Sequence, residues 1–214
     1  MPIVAEFGSD VQEYAEFGKE CTCPCPGNCP HCGATGQMIG HGYYWRKPKG
    51  LERCWVIRVK RWKCKSCGKT VGAVPSFLLF FRHYLLEIIQ SVVVGRFELE
   101  YSWAATFLGC ADEGGTPVVR TMQRWCAGLT EHAAEWLGAM EKTMAEQDSR
   151  SEWLDAQGEA GRMRNPAQAL LRGSLHLLAW AKGRWREVER FVLNDRLRFL
   201  WYWGNQRLGL SRLV

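Results

Sequence analysis

The chain has 214 residues, of which 47% are hydrophobic and 23% are charged, and its net charge is +6. This length and composition are typical of a globular protein that buries a core of its own. The first twenty residues are acidic and lack the basic start and apolar stretch of a secretory signal. Apolar runs such as residues 77–81 and 91–95 are far shorter than the roughly 20 residues of a membrane span. We therefore expect a soluble, cytoplasmic protein with no membrane partner.

Charge is distributed unevenly along the chain. Residues 41–69 carry a net charge of +9 and residues 162–214 carry +8, whereas residues 1–40 and 70–161 carry −4 and −7. Blocks of one sign are typical of surfaces that meet a partner of the opposite sign. The two basic blocks are therefore the places where a polyanion is expected to bind.

Two short cysteine motifs are the most specific feature of the sequence. Each places two cysteines three positions apart and is followed by a glycine, Gly33 or Gly68; the cysteines are Cys29, Cys32, Cys64 and Cys67. Tetrahedral zinc takes four such thiolates, and a glycine lets the chain turn back under the metal. Because a site closed by four protein ligands has no position for water or substrate, the spacing predicts one structural Zn²⁺ ion.

Three further cysteines precede the first motif, and their role is open. Cys21, Cys23 and Cys25 could supply a second metal, or Cys25 could compete for the main site. Three thiols without a fourth partner do not complete a zinc site. We favour a reduced, cysteine-rich lead-in.

The segment between the motifs is predicted to be a β-hairpin closed at its base by zinc, which is a zinc ribbon. Residues 51–63 alternate with period two, residues 40–46 form an earlier extended segment, and residues 47–50 form a turn. Aromatic residues are interleaved with cations that can contact phosphates. The cations predicted to bind nucleic acid here are Arg46, Lys47, Lys49, Arg58, Lys60, Arg61 and Lys63. A solvated basic hairpin whose aromatics pack over the zinc is the alternative.

Helical patterns follow the ribbon. Residues 82–96 carry one buried stripe, residues 102–109 form a short helix, and residues 117–126 begin with a proline that favours a helix start. A short helix, a turn and a helix with polar residues outward are the arrangement of a helix-turn-helix unit. The outward residues predicted to contact DNA are Arg120, Thr121, Gln123 and Arg124.

Residues 25–128 resemble the N-terminal region of zinc-ribbon insertion-sequence transposases and their small uncharacterised relatives. The similarity lies in Cys29, Pro30, Cys32 and Gly33; in His41, Gly42, Tyr44 and Arg46; in Arg61, Cys64, Cys67, Gly68, Lys69 and Thr70; and in Ala105, Leu108, Gly109, Thr121, Arg124 and Trp125. The resemblance implies binding to transposon ends or another specific duplex. It also implies that Arg120, Gln123 and Arg124 lie near DNA.

The C-terminal part offers no complete catalytic constellation. Residues 129–214 are predicted to be helical, with Asn165 and Pro166 opening one helix. Asp148, Asp155 and Asp195 lie in segments that lack the strands on which a two-metal nuclease site is mounted. We therefore predict that the protein is not an enzyme.

These patterns together predict a mainly α protein with a small β zinc ribbon. The predicted divisions are a zinc ribbon at residues 21–76, a helix-turn-helix unit at 77–128 and a helical tail at 129–214. The predicted function is that of a nucleoid-associated, duplex DNA-binding factor that serves a transposon as an accessory or regulator. It would form a homodimer or act with a transposition-related protein. The alternative is a protein-interaction adaptor that uses the ribbon and an aromatic helical tail.

Overall fold

The computed structural model describes residues 2–5, 10–17, 24–109, 116–150, 153–154, 163, 165–210 and 212–214. Some of the features predicted from sequence lie outside the described residues. These are Cys21, Cys23, Asp155 and most of the loop between the two helices of the predicted helix-turn-helix unit, residues 110–115.

A four-stranded sheet replaces the simple hairpin that the sequence predicts. Its strands are β1 (Ile3–Ala5), β2 (Met38–Arg46), β3 (Ile57–Cys64) and β4 (Thr70–Pro75), in the order β1-β4-β3-β2. β2 and β3 form the predicted antiparallel hairpin, β4 extends it in antiparallel fashion, and β1 lies parallel to β4. The small β element is thus present and is larger than predicted.

Helices make up most of the regular structure. They are α1 (Val11–Phe17), α2 (Leu86–Phe97), α3 (Trp103–Gly109), α4 (Val119–Gln147), α5 (Pro166–Lys182) and α6 (Arg196–Leu208), with 3₁₀ turns at Arg186–Val188 and Leu193–Asp195. α5 begins as predicted, since the Asn165 side chain accepts a hydrogen bond from the Ala167 amide (2.9 Å) and Pro166 occupies the first turn. None of the described helices combines the length and apolar composition that a membrane span requires.

Helix α4 is longer than the helix predicted from residue 117 to residue 126. It runs for 29 residues without a break, so the predicted boundary at residue 128 falls inside it. The reason is that the buried stripe continues from Met122 and Trp125 to Leu129 and beyond at helical spacing, with no proline between them. The predicted second helix is therefore the first part of a long helix, and α2 packs against both α3 and α4.

One hydrophobic core joins all three predicted divisions. It includes Val59 of the sheet, Ile89 of α2, Trp136 of α4 and Trp201 of α6. The Val4 amide donates to the Asn205 side chain (2.8 Å), which ties the first strand to the last helix across 201 positions. A second, small cluster contains Cys29, Met38, Cys64 and Val71 at the other end of β3.

Candidate metal centre and nucleic-acid interface

The four predicted metal ligands come together at the end of the β2–β3 hairpin. Their sulfur atoms all lie within 4.8 Å of one another. The Cys29 and Cys67 sulfurs are 3.7 Å apart, and the Cys32 and Cys64 sulfurs are 3.8 Å apart. A tetrahedron with metal–sulfur bonds of about 2.3 Å has edges of about 3.8 Å. The four cysteines can therefore hold one metal ion.

The two cysteine turns have the same backbone geometry. The Gly33 amide donates to the Cys29 carbonyl (2.8 Å), and the Gly68 amide donates to the Cys64 carbonyl (3.0 Å). Both glycines have positive φ, +73° and +70°, a conformation that other residues rarely adopt. The amides of Cys67 and then Ser66 lower the pKa of the Cys64 thiol to about 6, which favours the thiolate that binds metal.

The other described cysteines lie outside this cluster. The Cys25 sulfur is 3.5 Å from the Met38 carbonyl oxygen, and Cys54 is exposed. Cys126 is buried on α4, and burial raises the pKa of its thiol to about 11. Among the described residues, the four cysteines are the one group of three or more metal-binding side chains close enough together to hold an ion.

One face of the sheet carries alternating cations and aromatic rings, which we call the cation–aromatic ladder. Trp45 lies opposite Arg58 in the register, and Tyr43 lies opposite Lys60. The Arg58 guanidinium is 4.5 Å from the centre of the Trp45 ring, and the Lys60 ammonium is 4.4 Å from that of Tyr43 and 5.3 Å from that of Trp62. Trp45 is 59% exposed, so this face is open to a partner.

The other cations on β2 and β3 point the other way, because successive strand residues alternate between faces. Arg61 and Lys63 lie on the face opposite the ladder, as does Arg46. Arg46 donates to the carbonyl oxygens of Leu79 (3.2 Å) and Arg82, and burial lowers the pKa of its guanidinium. Arg46 was predicted to contact nucleic acid, but the structure engages it with backbone carbonyls of its own chain.

The turn after β2 connects the hairpin to α4. The Lys49 amide donates to the His83 carbonyl (2.7 Å), and its ammonium lies 5.4 Å from the centre of the Tyr84 ring. Tyr84 in turn packs edge-on against Trp125 of α4, with ring centres 5.2 Å apart. The hairpin and the start of α4 are therefore held together through Tyr84.

The start of α4 presents the predicted polar face to solvent. Arg120, Gln123 and Arg124 are exposed, Thr121 is half-buried, and Met122 faces the core. Three of the four side chains predicted to contact DNA are thus exposed at the start of α4.

Two open clefts meet at the turn formed by residues 79–82. The first is lined by Trp45, Lys47 and His83, and the second by Arg82, Arg124 and Arg212 together with the acidic Glu131. Pro2, Phe80 and Phe81 line both. Lys47 of the hairpin and Arg124 of α4 therefore flank the same turn.

Sequence reasoning missed the residue between the clefts. Phe81 is 86% exposed, although it closes a continuous apolar run that would ordinarily be buried. Periodicity cannot show which residue of such a run turns outward, so the sequence carries no signal for it.

Two carboxylates of the C-terminal part, Asp148 and Asp195, are engaged in structural contacts. Asp148 pairs with Arg184 (2.8 Å) and accepts a hydrogen bond from the Trp180 indole (2.9 Å). Asp195 accepts a hydrogen bond from the Val192 amide (3.0 Å).

Comparison with known proteins gives one match. Residues 29–125 match the family model of a domain of unknown function (DUF6431). The match covers the four cysteines, the ladder and the start of α4, which is just under half of the chain, and its description names no activity. No curated protein matches the chain. No solved structure matches it.

Proposed function

We propose that this protein holds one structural zinc ion and binds double-stranded DNA without catalysis, as an accessory or regulatory factor of a mobile element. The observation that carries the proposal is that Lys47 and Arg124 line the two clefts on either side of one turn. Two cations from separate elements, beside an exposed ladder that holds two more, suit a continuous polyanion better than a small anion.

The donor set supports zinc as the metal. Four thiolates are soft ligands, and their spacing fits a tetrahedral site with no open position. A zinc ion bound there would supply structural cross-linking rather than chemistry. Cys29 and Cys64 are buried at the ends of two separate turns, so the metal would hold these turns together.

The side chains on α4 supply groups that can read bases. Arginine pairs with guanine and glutamine with adenine in the major groove, and lysine fixes the position of the backbone. Arg120, Gln123 and Arg124 are exposed together on α4. The match to residues 29–125 spans nearly the stretch that resembles the transposase N-terminal region, which supports treating this stretch as one unit.

The proposal is tested by selecting bound duplexes from a random pool and then measuring affinity over a salt series. We expect the logarithm of affinity to fall with the logarithm of salt concentration, with a slope of about −0.9 per phosphate contact. Arg124→Ala should cost about 1–3 kcal/mol and relax base preference, whereas Lys47→Ala should weaken all duplexes alike. Lys142→Ala is the control, because Lys142 is exposed on α4 far along the helix from Arg124. Absent or salt-insensitive duplex binding would refute the proposal.

The adaptor alternative uses the ribbon together with an exposed aromatic face in the C-terminal part. Four of its large aromatic residues are instead buried in the core: Phe191, Phe199, Trp201 and Trp203. A stoichiometric protein complex that survives nuclease treatment would favour this alternative.

A further inference from the structure

The turn at residues 79–82 holds Phe81 in an unusual conformation. Its φ is +60°, in the left-handed region that bulky residues rarely occupy, and its side chain is 86% exposed. The Arg82 amide donates to the Leu79 carbonyl (3.4 Å), which places Phe81 at the third position of the turn. Turns with positive φ at this position normally carry glycine there. A strained backbone and an exposed aromatic ring therefore coincide at one residue.

The backbone of this turn is fixed by Arg46. Its guanidinium donates to the carbonyl oxygens of Leu79 and Arg82, the two ends of the turn. Strained conformations persist where the surroundings over-determine them, and such sites are frequently functional.

The residues before Phe81 are anchored in the core. The Phe80 ring packs against Trp201 with ring centres 4.7 Å apart, and the Trp201 indole donates to the Leu78 carbonyl (3.0 Å). Phe80 is buried whereas its neighbour Phe81 faces solvent. The turn is thus a rigid base that displays a single aromatic ring.

Basic side chains surround this ring. Lys47 and His83 line the cleft on one side, and Arg124 and Arg212 line the cleft on the other. Glu131 is the acidic residue among them. An apolar tip inside a mainly basic rim suits a partner that has apolar faces between anionic groups, as stacked base pairs have between phosphates.

We propose that Phe81 is a wedge that inserts between two neighbouring base pairs of bound duplex DNA and kinks the duplex. This inference rests on the proposed function, since it specifies how the duplex is engaged. DNA-binding proteins use apolar side chains, phenylalanine among them, to part base steps. Holding the backbone that carries the ring in place before binding avoids part of the ordering cost of insertion. Lys47 on one side of the ring would then contact a phosphate beside the opened step, and Arg124 on the other side would reach a neighbouring base edge.

The test uses a mixed-sequence duplex of about three helical turns that contains TA and CA steps, which deform most readily. One adenine is replaced by 2-aminopurine to report unstacking, and dyes at the two ends report bending. Bound wild-type protein should raise the 2-aminopurine fluorescence and bring the ends closer. Phe81→Gly should lower affinity about tenfold and abolish both signals, while the salt slope stays unchanged because the phosphate contacts remain.

Further variants separate the wedge from a folding defect. Glycine and asparagine both tolerate positive φ, so Phe81→Gly and Phe81→Asn should melt at or above the wild-type temperature. Phe81→Leu keeps an apolar wedge and should retain the bend. Leu193→Ala removes another exposed apolar side chain, 60% exposed on a 3₁₀ turn, and should change neither signal.

The two proposals fail in different ways. If the wild type binds the duplex and Phe81→Gly and Phe81→Asn bind and bend it equally well, the wedge is overturned and DNA binding stands. If the wild type does not bind duplex DNA at all, the proposed function is refuted and the wedge with it.

Discussion

The two ends of the β2–β3 hairpin are stabilised by different means. At one end, Ile57 and Val59 belong to the large core that also contains α2, α4 and α6. At the other end, the buried residues are four: Cys29, Met38, Cys64 and Val71. Within the described residues, this second cluster has far fewer buried members than the large core.

The difference indicates where a metal cross-link would add most to stability. A cluster of this size removes too little apolar surface from water to offset the entropy of ordering two loops, and small units of this kind usually need a cross-link. Four thiolates placed together can supply one. The helical side needs none, because large side chains such as Trp136 and Trp201 are fully buried there.

Removal of the metal is expected to have the largest effect, and it tests the comparison directly. Structural zinc sites contribute about 10–16 kcal/mol of binding free energy, so a chelator or Cys64→Ser should unfold the cysteine end of the hairpin. Amide exchange should rise in residues 29–38 and 62–71, while the helical circular dichroism signal persists. Duplex binding should weaken at the same time.

The control for this experiment is Cys25→Ser, since Cys25 lies outside the four-sulfur cluster. This variant should retain one metal ion per chain. Collapse of the helices on chelation would show that the two ends are not independently stabilised.

A smaller effect is expected from overpacking the helical core. A Cβ added at Gly204 of α6 would meet Trp136 ring carbons at 2.0 and 2.4 Å, so Gly204→Ala should cost about 1–3 kcal/mol or more in the free energy of unfolding. Gly138→Ala on α4 meets nothing within 4 Å and should instead add about 0.5–1 kcal/mol. Urea denaturation measures both. Loss of metal from Gly204→Ala before the helices unfold would contradict the separation of the two ends.

The smallest effect concerns acid sensitivity at the surface of the helical core. The Trp180 indole, followed by Arg184, lowers the pKa of Asp148. A carboxyl with a lowered folded-state pKa stabilises the protein above its unfolded pKa of about 3.9, and this stabilisation is lost as pH falls through the folded value. Asp148→Asn should therefore melt slightly below the wild type at pH 7, and the two melting temperatures should converge in acid.

Glu146→Gln is the matched control for that comparison, because Glu146 is an exposed acidic residue near the same end of α4. Its melting temperature should follow that of the wild type at every pH. A difference between wild type and Asp148→Asn that persists at low pH would assign the effect to packing rather than to charge.

Parts of the fold and of the candidate site could be predicted because their causes are local. The spacing of Cys64 and Cys67 and the glycine after them specify a tight turn, and period two over β3 specifies a strand. Asn165 and Pro166 likewise mark the start of α5 within three residues. Each of these signals lies within a few positions of the structure it produces.

Other parts were beyond prediction because they depend on contacts between distant segments. The length of α4 is one of these, since Gly128 lies against the backbone of Val214 and does not end the helix. In the sequence, nothing distinguishes Arg46 from the other cations of the basic hairpin. Only the folded structure brings it to the carbonyl groups of the turn at residues 79–82.

The sequence by itself determined the four cysteines that cluster, the hairpin between them and the outward cations of α4, because spacing and periodicity act over a few residues. Only the tertiary structure decided that β1 pairs with β4 and that the hairpin is packed against α4. It also decided that Phe81 is turned outward between two basic clefts. These features follow from packing between distant segments. For example, Phe80 packs against Trp201 in the core, and this contact fixes the position of the turn from which Phe81 points outward.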